Sequence, residues 1–208
     1  MNINLTQKSL GNIFSNINNL SSKNVLDIFA REGDWQTKFL VDKVKSIEGW
    51  EINEEFVTNL KNNFPTIKAV LRNSIEYIKN TDEINTNKFD IVVVDNGMNC
   101  YGVNDVYCEH FDFIHDIHKF FNDEVYLILN VAKSPFNYNN FPNWIKRREK
   151  FYGINSTENI SLEFLMDFYK NIFLKNNFKC KNLYVEPREL HKDNLYLYHF
   201  CFKLERVK

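Results

Sequence analysis

The chain has 208 residues, a formal net charge of −1 and an apolar fraction of 44%. That length suits one domain around one sizeable core, and the near-zero charge excludes a global positive field that would draw the protein onto duplex nucleic acid. No apolar block of signal-peptide type opens the chain and no run approaches membrane-span length, so a cytoplasmic protein with no membrane partner is expected.

Residues 5–20 read as an amphipathic helix, with Leu10, Ile13, Phe14 and Ile17 on one face. Strands and helices then alternate. Strands are expected at 25–30, 47–51, 68–71, 89–95 and 125–132, and helices at 34–45, 54–63, 74–79, 106–121 and 162–176. The continuous apolar runs at 91–94 and 125–131 fit central strands covered on both faces, so the pattern is that of a mostly parallel sheet with helices on both sides. The last two runs, 179–186 and 195–204, have no helix between them. His191 to Asn194 supplies a turn, so a C-terminal hairpin is expected, with its last strand antiparallel. One domain, 1–208, is expected, with 133–160 as an insertion after the fifth strand. The four cysteines, at 100, 108, 180 and 201, lack metal-finger spacing and read as free thiols.

The stretch from Asn24 to Gly33 carries the first chemistry. A buried strand ends on Asp27, a loop follows and closes at Gly33, and Asp34 can cap the next helix. A strand, a tight turn and a helix N-terminus in succession make a nucleotide-sized cradle. Glu51 closes the second strand, where a carboxylate can take two ribose hydroxyls. Asp95 follows a very apolar strand at the carboxyl edge, where open α/β sheets bind ligands.

These residues, in this order and closed by a terminal hairpin, resemble the class I S-adenosylmethionine-dependent methyltransferases over roughly residues 24–204. Asp27-Ile-Phe-Ala-Arg-Glu-Gly33 stands where that family has an acid, a spacer and glycines; Leu26, Asp27, Phe29, Ala30 and Gly33 match a variant form, with Phe29 and Arg31 at glycine positions. The resemblance implies a Rossmann-like α/β doubly wound sheet and S-adenosylmethionine as cofactor. It places Asp27 near the methionine part of the donor, Glu51 at the ribose hydroxyls, Asn73 at the adenine amine and Asp95 at the transfer centre, with Phe29, Ala30, Gly33, Ile52 and Ser74 also among the cofactor-binding residues. The segment from Asp95 to Val103 is similar to one of a subgroup acting on small molecules and sugars, with Asn99 in place of its histidine.

Each residue also has a plainer reading. Asp27 could cap the next turn, Glu51 could be the first-turn acid of the following helix, Asn73 could be an N-cap, Gly33 a turn glycine, and Asp95 an acid satisfied by backbone amides. His110 is a candidate general base near the loop after Asp95, or a structural histidine. His110, His115 and His118 do not share one helical face, and Asn130 stands where metal-dependent relatives carry an acid, so no metal is expected.

The insertion mixes Phe136, Tyr138, Phe141, Trp144 and Tyr152 with Lys146, Arg147, Arg148 and Lys150. Aromatics beside cations suit a phosphorylated, sugar-nucleotide or nucleic-acid substrate; an amphipathic cover helix with a basic edge has the same composition. Tyr101, Trp144, Arg147 and Arg148 are the candidate substrate contacts, and Arg188 is a further rim cation with Glu186 or Glu189 as ordinary ion-pair partners. The expected acceptor is a small polar metabolite or sugar derivative, since the Asn/Asp-Pro-Pro-Tyr/Phe motif of amino-methylating nucleic-acid enzymes is missing from Asp95-Asn-Gly-Met98. The rival readings are a nucleic-acid methyltransferase, a non-catalytic binding module, and a nicotinamide oxidoreductase, the last opposed by the missing G-x-G-x-x-G.

Overall fold

The computed structural model describes residues 5–83, 86–95, 98–135, 138–191 and 194–207. Seven strands form one sheet: β1 (Asn24–Ile28), β2 (Ser46–Glu51), β3 (Lys68–Leu71), β4 (Phe89–Val94), β5 (Phe121–Ala132), β6 (Phe178–His191) and β7 (Asn194–Arg206). Their order across the sheet is β3-β2-β1-β4-β5-β7-β6. Every pair from β3 to β5 is parallel, and β7 runs antiparallel to both of its neighbours. The order reverses between β1 and β4, which opens a crevice at their carboxyl ends.

Helices lie on both faces. They are α1 (Leu5–Ser15), α2 (Thr37–Leu40), α3 (Glu54–Asn63), α4 (Ser74–Asn80), α5 (Pro142–Tyr152) and α6 (Leu162–Lys175). Asn53, Asn73 and Ser161 cap α3, α4 and α6 through side-chain oxygens that accept backbone N–H bonds. Pro142 opens α5 and Gly153, at φ 68°, ends it. Central strands are buried on both faces, so their alternate residues feed two cores. Leu26, Ile28, Val92, Val94, Leu127 and Leu129 join one, and Val25, Ile91, Val93 and Ile128 join the other beneath α1.

Three expectations need correction. The helix at 34–45 is reduced to the single turn of α2, because Asp42 at φ 64° cannot continue it. The helix at 106–121 does not form. In its place stand a two-stranded ribbon, pairing Cys100–Tyr101 with Tyr107–Cys108, then turns, then a 3-10 helix at Ile117–Phe120. Asp112 accepts the N–H of Cys108, and Glu109 sits at φ 46°, so this segment closes local loops rather than helical turns. The first helix stops at Ser15 rather than 20, and Asn19 turns the chain at φ 54°. The terminal hairpin forms as expected, with longer strands, and His191 pairs with Asn194; residues 192–193 between them, part of the expected turn, lie outside the described residues. No described helix is long and apolar enough to cross a membrane.

Candidate donor crevice and acceptor wall

The loop after β1 has a left-handed rhythm: Phe29, Arg31 and Gly33 have φ of 67°, 50° and 83°. Those are the three positions that a glycine motif would fill. The backbone form therefore persists although two of its glycines do not, at about 1–2 kcal/mol for each non-glycine residue. Hydrogen bonds hold it: Ala30 N–H donates to Trp50 O at 2.9 Å, and Gly33 N–H donates to Ala30 O at 3.0 Å. The Arg31 guanidinium lies 5.6 Å from the centroid of the Phe56 ring. At Gly33 a Cβ would stand 2.4 Å from the Phe64 ring, so this glycine gives α3 room to approach.

Asp27 is fully buried. Its carboxyl accepts from Gln36 Nε2 at 2.7 Å and from the hydroxyl of Thr37, tying the end of β1 to the start of α2. Burial is the main force pushing its pKa up to about 7, only partly offset by the hydroxyl and amide donors.

Glu51 closes β2 beside the loop that follows β1. One carboxylate oxygen accepts the N–H groups of Ile52 and Asn53 at 2.9 and 2.8 Å, and the other accepts Arg31 N–H at 3.1 Å. The side chain thus clasps the first loop to the N-terminus of α3 and retains one acceptor direction on the oxygen facing that loop. Ile52 beside it is 65% exposed, open to stack on a ligand. Asn73 caps α4 by accepting Glu76 N–H at 3.3 Å, and Ser74 is buried.

Asp95 is the hub of a buried polar network. Its carboxylate accepts Asn130 Nδ2 at 2.9 Å, pairs with the Arg188 guanidinium at 2.9 Å, and lies 3.4 Å from His199 Nε2. Burial would raise its pKa, but the His199 hydrogen bond and the Arg188 charge outweigh it and hold the carboxyl below its usual range. His199 Nδ1 meets Ser9 Oγ of α1 at 2.8 Å. Arg188 rests 5.7 Å from the centroid of the Trp35 ring, at the far side of the first loop. Asp95 is therefore an anchored carboxylate, and Arg188, for which Glu186 or Glu189 was the expected partner, pairs with it.

A second polar cluster joins the segment after β4 to the segment after β5. Glu109 and Arg148 are both fully buried and pair at 2.6 Å. Trp144 Nε1 donates to the same Glu109 oxygen at 2.7 Å, and Arg148 also donates to Ala132 O, at the end of β5, at 2.9 Å. Tyr101 donates its hydroxyl to Glu109 O at 2.7 Å. Arg147 makes two 2.7 Å bonds to Asp112. His110 is buried, 2.5 Å from the Tyr169 hydroxyl, which in turn meets that of Tyr152 at 2.9 Å. Burial lowers the His110 pKa to about 3, and the Arg148 charge adds to it, so the imidazole is neutral. Both arginines named as substrate cations thus already hold internal carboxylates, and His110 stands in the core between α5 and α6.

Five residues here escaped the sequence reading: Ser9, Gln36, Thr37, Glu109 and His199. Each finds its partner between 9 and 190 positions away, through the pairing of separate elements, and no local spacing signals that. Of the residues placed at the donor, Phe29, Ala30, Gly33, Glu51 and Ile52 gather at the ends of β1 and β2. Asp27 lies beneath them, and Asn73 and Ser74 begin α4.

No protein-family model matches the chain, and no curated protein matches it. Solved structures do. M. jannaschii TYW2, in complex with AdoMet, is 14% identical with a TM-score of 0.58, covering 100% of this chain and 78% of that one. Magnesium protoporphyrin IX methyltransferase (ChlM) from Synechocystis PCC 6803, with bound SAH, is 14% identical at a TM-score of 0.57, covering 100% and 90%. The 1,6-didemethyltoxoflavin-N1-methyltransferase of Burkholderia thailandensis is 11% identical at 0.60, covering 98% and 79%. With the strand order, the antiparallel β7 and the crevice at β1 and β4, these likenesses establish that the chain has the class I S-adenosylmethionine-dependent methyltransferase fold.

Proposed function

We propose that this chain is an S-adenosylmethionine-dependent methyltransferase acting on a small polar acceptor. The observation that carries the reading is the first loop. Three left-handed residues, two of them not glycine, keep a ligand-cradling backbone, and Glu51 clasps it with one acceptor direction left for a ribose hydroxyl. A strained turn retained at the strand switch point points to a functional role. When bound, the donor supplies an activated methyl group on a sulfonium. The protein aligns acceptor and donor, and alignment alone is worth on the order of 7–11 kcal/mol.

In this reading Glu51 holds the ribose, Ile52 and the Asn73–Ser74 turn flank the adenine, and the loop at 29–33 lies against the methionine half. Asp95 sets the mouth of the crevice by fixing Arg188 and His199, and Asp27 braces the loop from below. The segment at 133–160 forms the acceptor side, where Trp144 and Arg148 shape the wall from inside. A small acceptor is favoured over nucleic acid because Arg147 and Arg148 are both engaged with carboxylates, which leaves α5 a modest basic face.

Calorimetry with S-adenosylhomocysteine tests the donor reading, and absence of binding overturns it. Replacing Glu51 with alanine is expected to weaken binding by about 1.5–3 kcal/mol, roughly 10- to 150-fold. Undiminished affinity in that variant would remove Glu51 from the ribose site.

A further inference from the structure

We propose that Glu109 is the acceptor-recognition carboxylate of this chain, and that the acceptor presents an ammonium or N–H group on a flat apolar ring. The proposal rests on the methyltransferase reading for what happens to the acceptor, but the site itself stands on its own geometry.

Glu109 has three features that together point to a ligand. Its backbone is held in the left-handed region at φ 46°, fixed on both sides by Glu109 N–H donating to Asn99 O and by Tyr101 donating to Glu109 O. Its oxygen Oε1 is held by two donors, Trp144 and Arg148. Its second oxygen, Oε2, is buried and has no hydrogen-bond partner among the described residues. A carboxylate so firmly oriented, with one oxygen left without a donor, is an unusual state for a buried charge. Arg148 balances the charge, but no described residue satisfies Oε2.

The position suits an acceptor. Glu109 lies on the segment after β4, and its partners lie on α5, after β5, with Arg148 fastened to the last residue of β5. Four residues further on, Phe113 packs against Phe29 of the donor loop at a ring-centroid distance of 5.8 Å. Two of the groups bonded to Glu109 are aromatic, Trp144 at its carboxylate and Tyr101 at its backbone oxygen. A ring with an N–H matches both the flat apolar lining and the bare acceptor oxygen, whereas an anion would meet Oε2 with like charge. The ribbon adjoins Glu109 through Tyr101. Its tip is exposed, with Val103 at 83%, and the bonds that tie it to α5 are long ones, Asn143 to Asp105 at 3.4 Å and Arg147 to Val106 O at 3.3 Å.

The test is calorimetry of benzylamine, with benzoate as its charge-reversed counterpart, on protein loaded with S-adenosylhomocysteine. Trp144 and Arg148 require an oxygen on their side, so in Glu109→Gln the amide NH2 takes the place of Oε2 and turns an acceptor into a donor. Benzylamine should bind the wild type and lose at least tenfold in Glu109→Gln, with S-adenosylhomocysteine affinity unchanged, and benzoate should not bind. If Glu109→Gln fails to fold because Arg148 loses its partner, Glu109→Gln with Arg148→Met removes both charges and is read in the same way. The proposal is overturned if benzylamine does not bind the wild type, binds the variant equally, binds no better than benzoate, or is lost together with the donor product. If S-adenosylhomocysteine itself does not bind, the methyltransferase reading fails, and the same titrations on the ligand-free protein still decide the Glu109 site.

Discussion

At the scale of single residues, burial decides protonation. Asp27 has a pKa of about 7 in the folded chain, above its unfolded value, so the folded state holds the extra proton between about pH 4 and 7. Its contribution therefore favours folding at low pH and is lost as pH rises through 7. His110 works the other way: its pKa of about 3 means that acid below about pH 6.5 favours the unfolded chain, which takes up the proton more readily. The two slopes oppose each other between about pH 4 and 6.5. The stability difference between wild type and Asp27→Asn should change by about 1.4 kcal/mol per pH unit in that window, in urea titrations at several pH values. A pH-independent difference would show that Asp27 is not strained by burial. The Glu109–Arg148 pair offers a second measurement: Arg148→Met, which strands a buried carboxylate, should cost about 3–5 kcal/mol of stability in the same assay.

At the scale of elements, the first loop shows what a sequence conveys and what it hides. Asp27, Gly33 and Glu51 were legible because each sits at a strand end or turn that apolar runs bound on both sides. The left-handed backbone at Phe29 and Arg31 was not legible, since neither side chain prefers it, and tertiary contacts impose it. Gly33 is the position where no other residue fits: Gly33→Ala should destabilise by about 2–4 kcal/mol, from backbone strain plus collision with Phe64, as a lowered midpoint in thermal unfolding. The segment at 106–121 misled for the opposite reason. Its apolar residues Phe111, Phe113, Ile114, Ile117, Phe120 and Phe121 satisfy a helical spacing, yet the first five are buried from turns and a 3-10 helix, and Phe121 from the start of β5. Side-chain acceptors such as Asp112 decide that path, and their preference for local loops outweighs the periodicity.

At the scale of the molecule, a mostly parallel sheet with an antiparallel terminal strand followed from counting alternating runs, because parallel strands need crossovers and a terminal hairpin admits one antiparallel strand. What the count could not supply is how the two ends of the chain meet. Helix α1 lies on the terminal hairpin, and Ser9 and Asn12 reach His199 and Glu186. Ser9→Ala should leave the fold intact and lower stability by about 1–3 kcal/mol, the cost of a buried polar group that loses its partner, again by urea titration.

The embrace of α1 and the hairpin has a consequence for biosynthesis. During translation α1 is made before the surface it rests on, and the part of that seat that Ser9 and Asn12 grip, at His199 and Glu186, follows more than 170 residues later. Its polar grip on the hairpin must wait for those strands, so the full docking of α1 is a late, long-range step of folding.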